Sequence, residues 1–356
     1  MNQRGAAHPR RVLLIHFGQM GDAVLALPAA RALRARFTRQ LGDALSASGR
    51  PLPGIEARPQ PDQREGGMSK RWPSHPEAAL TVLAARGPHA VFEMAGFPHV
   101  WTADRVRWKR SPLAAAVEIP RLLARLRRAG FDLSVDLHSY KETNLLAALA
   151  GIPVRVAMLR PTRSWPRLIT LKPPPDDPHG RLLDRYCQVL APLGIAVPAE
   201  ARIPALDLPL EPEFHPPTLG LCPGAGHPSR RWPADRFAAL ARDLDAPTIV
   251  FAGPEESDAL LAPFAALPNC EIRRGLSLAQ LAADLARCRA VVSNPTGPAH
   301  LAAAAGGRVL VLGEIPAFDP VPRPPRGAVS LLRAQGTIAA IPLEAARAAL
   351  ARLWSA

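Results

Sequence analysis

Short apolar runs alternate with longer stretches rich in alanine and leucine along most of the chain. The apolar runs are four to six residues long, which predicts buried strands. They cover residues 12–17, 79–83, 133–137, 218–222, 248–252, 290–293 and 309–312. The intervening stretches predict helices at 25–36, 120–128, 142–150 and 343–354. Because strands and helices alternate, the pattern predicts an α/β protein with parallel sheets.

A chain of 356 residues exceeds what one core usually holds and suits two domains. A proline-rich stretch at 206–217 is predicted to link an N-terminal domain, 1–205, to a C-terminal domain, 218–342, which is followed by a last helix at 343–356. Residues 37–76 are polar and show no period, and they are predicted to form a mobile insertion. Two α/β halves joined in this way place a ligand cleft between them, at the carboxyl ends of the strands.

The formal net charge is +14, and most of the excess is arginine. Such a charge favours nucleic acid, an anionic membrane surface or phosphorylated substrates as partners, with a merely solvated surface as the alternative. Only 5% of the residues are aromatic, which argues against a platform for stacking single-stranded nucleic acid. Four isolated cysteines form no metal-binding spacing, and no apolar run is long enough to span a bilayer. We therefore expect a cytoplasmic protein with reduced thiols.

The segment SNPTGPAH, residues 293–300, gives the strongest indication of chemistry. It follows a predicted buried strand and begins an alanine-rich helix, for which Thr296 is a candidate cap and Pro298 suits the first turn. The free N–H groups and the dipole of a helix start bind phosphates, and His300 in the first turn adds a donor. The segment predicts a diphosphate site, with an ordinary capped helix and a packed histidine as the alternative.

A second loop, PGAGHPSRRWP at 223–233, also follows a predicted strand. Its small residues allow a ligand close to the backbone, and Arg230 and Arg231 offer charged, forked donors to phosphate. The alternative is a Gly/Pro turn with surface arginines. A third strand ends in GPEE at 253–256, where a carboxylate could accept from ribose hydroxyls or simply favour a helix start.

Between the first strand and the first helix lies GQMGD, residues 18–22, without the G-x-G-x-x-G of a dinucleotide site. Asp22 is a candidate general base that takes a proton from an acceptor hydroxyl, and a helix N-cap is the alternative. Another strand ends at the same edge of the predicted sheet. Candidate contacts for a polar acceptor at this edge are Gly18, Gly21, Asp136, His138 and Lys141.

With these segments in view, the chain resembles the heptosyltransferases of glycosyltransferase family 9. The similar stretches follow the family's order over nearly the whole chain: RRVLLIHFGQMGDAVLALPAARALRARF, FDLSVDLHS, HGRLLDRYCQVLAPLGI, LGLCPGAGHPSRRWPADRFAALARDL, VFAGPEESDAL and VVSNPTGPAHLAAAAGG. The resemblance implies a GT-B fold, in which two Rossmann-like domains with parallel sheets face a central cleft and the acceptor domain comes first. It also implies inverting transfer of heptose from ADP-heptose to a lipopolysaccharide core or a related cell-surface glycan, without metal or cofactor.

Carried over residue by residue, the resemblance makes Asp22 the catalytic base. The implied donor-binding residues are Ala225 and Gly226 at the phosphates, Arg230 in place of a lysine, Glu255 at the ribose, Leu276 on adenine, and Thr296, Gly297 and His300 at the diphosphate. Pro295 stands where the family has an aspartate that contacts the donor sugar. The alternative is therefore a diverged protein that binds nucleotide-sugar without transfer, or that uses another sugar. The implied partners are an anionic glycolipid acceptor and the inner membrane surface, and not nucleic acid.

Overall fold

The computed structural model describes residues 11–48, 80–209, 211–313, 320–334 and 336–355. The first part of the chain forms a five-stranded sheet in the order β3-β2-β1-β4-β5. Every pair of neighbouring strands in it is parallel. The strands are β1 Val12–His16, β2 Leu80–Ala85, β3 Val100–Ala103, β4 Leu133–Asp136 and β5 Val154–Ala157. The loops that follow parallel strands meet at one edge, and here that edge carries the GQMGD segment.

The second part forms a six-stranded sheet in the order β11-β10-β9-β6-β7-β8, again with parallel pairs only. Its strands are β6 Leu219–Cys222, β7 Thr248–Ala252, β8 Cys270–Arg274, β9 Ala290–Ser293, β10 Arg308–Gly313 and β11 Ala328–Arg333. Two α/β units with parallel sheets confirm the predicted fold class.

Two layers of helices cover the first sheet, because side chains alternate between the faces of a strand. Val12 and Leu14 of β1 share a core cluster with one layer, and Leu13 and Ile15 share another cluster with the opposite layer. The first layer holds α1 Met20–Ser48, α2 His89–Met94 and α6 Leu182–Gln188. The opposite layer holds α3 Arg105–Arg110, α4 Pro112–Ala129 and α5 Lys141–Leu149.

The helices of the second unit are α7 Ala234–Leu244, α8 Asp258–Ala265, α9 Leu278–Arg287, α10 Gly297–Ala305 and α11 Leu343–Ser355. Helices α7, α8 and α11 pack with β6 and β7 in a core cluster of their own. Helices α9 and α10 instead belong to the cluster that contains α1 and α2. The two units therefore meet along an apolar layer in which α1 packs on α10 and α2 packs on α9.

The stretch predicted as a linker, 206–217, is attached to both units. Leu206 is fully buried, and its N–H donates to the Ala304 carbonyl of α10 at 3.1 Å. The next N–H, of Asp207, donates to the Met94 carbonyl of α2 at 2.7 Å. The Asp207 carboxylate also pairs with Arg31 of α1 at 2.5 Å. These contacts fix the linker where the first unit meets the second.

Two boundaries differ from the sequence-based predictions. Helix α1 continues through Ser48, past the predicted helix end at residue 36, so residues 37–48 of the predicted insertion are helical, and 49–76 lie outside the described residues. That the insertion is mobile stays a prediction. Helix α4 begins at Pro112, before the predicted start at 120, because the Ser111 hydroxyl caps it by accepting from the Ala114 N–H at 3.2 Å. Among the helices described, none combines the length and the apolarity that crossing a membrane requires.

Candidate functional site

The first turns of α1 and α10 touch each other across the boundary between the two units. A Cβ on Gly21 would lie 2.8 Å from His300 Cδ2, and a Cβ on Gly297 would lie 3.3 Å from Met20 Cβ and 3.5 Å from the Gly21 nitrogen. Real Cβ atoms essentially never lie as close as 2.8 Å to a neighbour, so position 21 needs glycine for the helices to approach. At Gly297 the 3.3 Å contact is tight and the 3.5 Å contact is an ordinary van der Waals distance. The contact places Asp22, in the first turn of α1, beside the segment predicted to bind a diphosphate.

Among the described residues, no side chain caps the N-terminus of α10. Thr296 occupies the N-cap position but accepts no hydrogen bond there. Its hydroxyl instead donates to the Asn294 carbonyl at 3.4 Å, so the prediction that Thr296 caps the helix is wrong. Helix starts carry unsatisfied N–H groups and partial positive charge, and a phosphate can satisfy both.

Asn294 holds the two donor-side loops together, a role that the sequence analysis did not assign to it. This fully buried side chain accepts from the Trp232 N–H at 2.9 Å and donates to the Pro223 carbonyl at 2.7 Å. It therefore fastens both ends of the 223–232 loop to the turn that precedes α10. Its place inside the SNPTG motif was the only sequence signal.

The two adjacent arginines of that loop serve different purposes. Arg231 folds back, and its Nε and Nη2 donate to the Ala225 carbonyl at 3.0 and 2.7 Å, which holds the loop closed. Arg230 is exposed, and within the described part of the chain its guanidinium has no hydrogen bond or ion pair. Beside it, Gly226 is exposed and Ala225 is buried. Arg230 is thus the arginine that remains available to a ligand.

The two glutamates of the GPEE turn lie in different surroundings, and the contact of Glu255 with a ribose stays a prediction. Glu255 is exposed, whereas the Glu256 carboxylate lies directly over Gly224, where any side chain at 224 would collide with it. Its Oε2 would lie 2.6 Å from a Cβ on Gly253, and this buried oxygen has no hydrogen-bond partner among the described residues. Glu256 is therefore a hydrogen-bond acceptor beside the 223–232 loop, and it is a residue that the sequence did not single out.

Leu276 lies beyond β8 and lines a cavity of about 520 Å³ together with Ile272 and Gln280. Most of the remaining lining is charged, with Glu271, Arg273, Arg274 and Asp284, so the contact of Leu276 with adenine stays a prediction. Pro295 is buried, and a Cβ on Gly313 would lie 3.3 Å from Pro295 Cβ. The proline ring therefore packs against the end of β10 and offers no oxygen to a sugar.

Asp22 is half-buried at the carboxyl edge of the first sheet. Its Oδ2 accepts from the Gln19 N–H at 3.0 Å, and it would lie 2.9 Å from a Cβ on Gly18. The Asp22 carboxylate thus caps α1 from the third position of the helix, by accepting from the N–H of the N-cap residue, and is not itself the N-cap. Burial raises the pKa of Asp22, while the Gln19 N–H and the positive charges of Arg160 and Arg163 act in the opposite direction.

Behind Asp22 lies a buried cluster of His16, His138 and Tyr186. The Tyr186 hydroxyl lies 3.1 Å from His138 Nδ1 and 3.4 Å from His16 Nε2, and the two imidazole centroids are 5.6 Å apart. Burial lowers the pKa of His16 to about 3 and that of His138 to about 2. Both rings are therefore neutral at physiological pH, and the cluster supports the Gly18–Asp22 turn without adding charge.

Asp136, a predicted acceptor contact, anchors its own loop instead. It is buried, and Oδ1 accepts from the Ser139 N–H at 2.7 Å. Oδ2 accepts from the Thr143 hydroxyl and from Asn144 Nδ2. With its oxygens already engaged, this carboxylate shapes the turn that carries His138 and Lys141, and the expectation of a direct acceptor contact is not supported by its placement.

A basic cavity of about 440 Å³ opens at the same edge of the first sheet. The loops and helix starts after β3, β4 and β5 bring four cations to it, namely Arg105, Lys109, Lys141 and Arg163. Glu142 is the acid in its lining, and both Arg105 and Lys109 contact it, at 3.3 and 3.6 Å. The Tyr140 ring lies between Arg105 at 3.5 Å and Arg163 at 5.9 Å. Of the four cations, sequence reasoning had selected Lys141 alone.

Comparison with known proteins decides the family. The family model described as glycosyltransferase family 9 (heptosyltransferase) matches residues 119–312, more than half of the chain. The chain belongs to glycosyltransferase family 9. A search of curated proteins finds no match to this glycosyltransferase.

Solved structures agree with the GT-B architecture of this family 9 protein. A glycosyl transferase family 9 structure from Veillonella parvula shares 18% identity and covers 97% of each chain, with a TM-score of 0.71. The E. coli ADP-heptose LPS heptosyltransferase II shares 20% identity over 97% of this chain and 98% of its own, with a TM-score of 0.68. E. coli heptosyltransferase WaaC with ADP-2-deoxy-2-fluoro heptose shares 18% identity over 96% of this chain and 99% of its own, with a TM-score of 0.67. At these identities the likeness shows the fold.

The Asn294 clamp yields a prediction for the glycosyltransferase. Asn294→Ala strands the buried Trp232 N–H and Pro223 carbonyl, so the free energy of unfolding should fall by about 2–4 kcal/mol. Urea denaturation measures it, with the exposed Ser229→Ala of the same loop as the control. A loss below about 0.5 kcal/mol, as for ordinary surface changes, would contradict the clamp.

Buried histidines also predict how stability depends on pH. Burial lowers the pKa of His300 to about 4, as it does more strongly for His16 and His138. Below about pH 6.5 the unfolded chain protonates these histidines and the folded chain does not, so stability falls as pH falls. Asp136 opposes this, because burial raises its pKa to about 6 and the folded chain then holds its proton. We expect the free energy of unfolding to be on the order of 3 kcal/mol lower at pH 5 than at pH 7. Urea melts at both pH values check this, and equal stability would refute it.

Proposed function

We propose that this glycosyltransferase transfers heptose, with inversion, from ADP-heptose to an anionic, lipid-linked glycan acceptor. The contact between Gly21 and the first turn of α10 carries the proposal, because it sets a candidate base beside a candidate diphosphate site. ADP-heptose is the proposed donor because the chain belongs to the heptosyltransferase family and a solved relative holds an ADP-heptose analogue.

In the proposed reaction, the Asp22 carboxylate takes the proton of an acceptor hydroxyl. The acceptor oxygen then forms a bond to the anomeric carbon on the face opposite the diphosphate, whose bond to that carbon breaks, so the configuration inverts. The departing ADP carries the negative charge. The open start of α10 and the Arg230 guanidinium would stabilise this charge as it develops.

The basic cavity supports an anionic acceptor. Three net positive charges remain in its lining once Glu142 is counted against the four cations. Phosphate or carboxylate groups would be held by forked guanidinium donors and by ammonium groups. Arg163 of the cavity lining also acts through its charge on the pKa of Asp22, so the cavity lies within electrostatic reach of the proposed base. An acceptor bound there would extend its hydroxyl toward Asp22.

The buried Pro295 favours a second candidate, a protein that binds nucleotide-sugar without transfer or that uses a different donor sugar. Such a protein would bind ADP-heptose, or another nucleotide-sugar, but release no ADP from ADP-heptose when acceptor is added. Independence from metal and cofactor, a cytoplasmic location and the absence of a nucleic-acid partner stay predictions. Transfer that persists in a chelator would test the first of these.

Arg230 offers the most direct test of donor binding. Arg230→Ala should weaken ADP-heptose binding about 10- to 100-fold, because a hydrogen bond to a charged group contributes about 1.5–3 kcal/mol. Calorimetric titration measures the affinity. Arg242→Ala is the matched control, since Arg242 is exposed on α7 and has no ion pair within the described residues. Equal affinities of the two variants would contradict the placement of the diphosphate.

A further inference from the structure

Exposed apolar side chains are concentrated on one part of the surface. Six large ones are exposed in the described part of the chain, and all lie between residues 106 and 165: Val106, Leu113, Val117, Leu145, Leu149 and Trp165. Leu113 is the most exposed, at 82%. They belong to α3, α4 and α5, or adjoin α5, since the Trp165 N–H donates to Asn144 at 2.9 Å. This helical layer faces away from the second unit, because α1 and α2 on the other side of the sheet make that contact.

The same layer holds a large share of the positive charge. Residues 105–129 contain eight Lys and Arg against Glu118 alone, a net charge of +7 out of +14 for the whole chain. Arg110, Arg121 and Arg128 are exposed, and none of them has an ion pair among the described residues. The charges of these three arginines therefore face solvent, whereas Arg105, Arg107 and Lys109 pair with glutamates.

Helix α4 arranges apolar and basic residues along one outward stripe. Leu113, Val117, Arg121 and Arg128 follow helical spacing and are exposed, while Leu122 and Leu126 are buried against the sheet. Helix α3 connects α4 to α5, because Trp108 Nε1 donates to Glu118 at 2.8 Å and Arg105 and Lys109 reach Glu142. The three helices thus form one layer, which we name the α3–α5 face.

We propose that the α3–α5 face docks this protein on an anionic lipid bilayer. Basic helices with exposed apolar side chains bind at the interface of such membranes, where the cations meet anionic head groups and the apolar side chains leave water. Nucleic acid would satisfy the cations but not Leu113 or Val117. A second copy would bring another face of +7 against the first, which charge repulsion opposes.

Docking in this orientation would deepen the proposed function. Arg105 and Lys109 belong both to α3 and to the lining of the basic cavity. A bilayer on the α3–α5 face therefore lies next to the cavity proposed to hold the acceptor's anionic group. The docking itself requires neither donor nor acceptor, so it can be measured separately from transfer.

Vesicle flotation tests the proposal with the full chain. The protein should float with vesicles that contain phosphatidylglycerol, far less with pure phosphatidylcholine, and less at high salt. Arg121→Gln with Arg128→Gln should lower the affinity roughly 30-fold, since each cation near an anionic surface contributes about a factor of five. Leu113→Ser with Val117→Ser should weaken the binding that survives high salt. Arg242→Gln with Arg352→Gln, on exposed positions of α7 and α11, is the matched control and should bind like wild type.

Three outcomes would overturn the docking proposal. The first is wild-type flotation that is equal with both vesicle types, and the second is α4 variants that bind as tightly as wild type. The third is absence of flotation together with a dimer that Leu113→Ser and Val117→Ser disrupt, which would assign the face to a second copy.

Transfer to a water-soluble, delipidated acceptor separates the two proposals. Transfer without flotation would leave the proposed function standing alone, and flotation without transfer would leave the docking face alone.

Discussion

Asp22→Asn should lower the rate of sugar transfer by a factor of about 10²–10⁴, the range that a positioned general base contributes. The asparagine oxygen can still accept from the Gln19 N–H, so the start of α1 should keep its geometry. What the variant loses is the ability to take the proton of the acceptor hydroxyl. Release of ADP in the presence of acceptor, measured in the steady state, checks the rate.

Donor binding provides the control for this variant. Asp22 belongs to the first unit, whereas the candidate phosphate contacts belong to the second, so the affinity for ADP should stay within about threefold of wild type. Wild-type turnover by Asp22→Asn would remove Asp22 from the mechanism. A rate that fell together with ADP affinity would instead point to a disturbed contact between α1 and α10.

Gly21→Ala should lower transfer about 100-fold, the loss that a displacement of about 1 Å can cause between reacting groups. The new methyl group would lie 2.8 Å from His300 Cδ2, so the first turns of α1 and α10 must separate. Overpacking of this kind also costs roughly 1–3 kcal/mol of stability. Kinetics and urea denaturation measure the two effects.

A second substitution makes the cause of that loss specific. His300→Ala removes the ring that the methyl group meets, so stability should fall less in the double variant than the two single changes predict together. Gly87→Ala is the matched control, because no atom lies within 4 Å of a Cβ on Gly87. Additive losses in the double variant, or a loss in Gly87→Ala as large as in Gly21→Ala, would contradict a steric contact at Gly21.

Local patterns predicted the architecture well. The continuous apolar runs of β1, β6 and β9 are typical of parallel strands buried on both faces, and the structure confirms them as central strands. The segments GQMGD and SNPTG each lie between such a strand and a helix. The fold then explains why residue 21 is a glycine, since a Cβ there would collide with His300 of the other helix.

Side-chain partners far apart in the sequence could not be predicted in the same way. Tyr186 contacts His16 although 170 positions separate them in the sequence, and Asn294 contacts Trp232 although 62 positions do. No periodicity in the sequence predicts either contact. The basic cavity is assembled by the segments that follow three separate strands, so each of its cations looks like an ordinary surface residue in the sequence. Glu255 and Glu256 are adjacent in the chain, and only the backbone geometry after β7 shows which of them lies over Gly224.

Thr296 and Asp136 show how a residue type can mislead. Threonine before a helix usually caps it, but the Asn294 carbonyl is within reach of its hydroxyl and the start of α10 stays open. Aspartate at the end of a strand often faces a ligand, but here Thr143 and Asn144 on the following helix engage it first. In both cases a hydrogen bond within the loop decides the outcome.

Mass spectrometry of the reaction products tests the central claim most directly. The wild-type protein would be incubated with ADP-heptose and a phosphorylated inner-core glycolipid, alongside the Asp22→Asn variant. We predict that the acceptor gains the mass of one heptose, that ADP appears in equal amount, and that the variant forms far less of both. An acceptor of unchanged mass, with ADP-heptose bound but intact, would contradict heptose transfer and favour a protein that binds the donor alone.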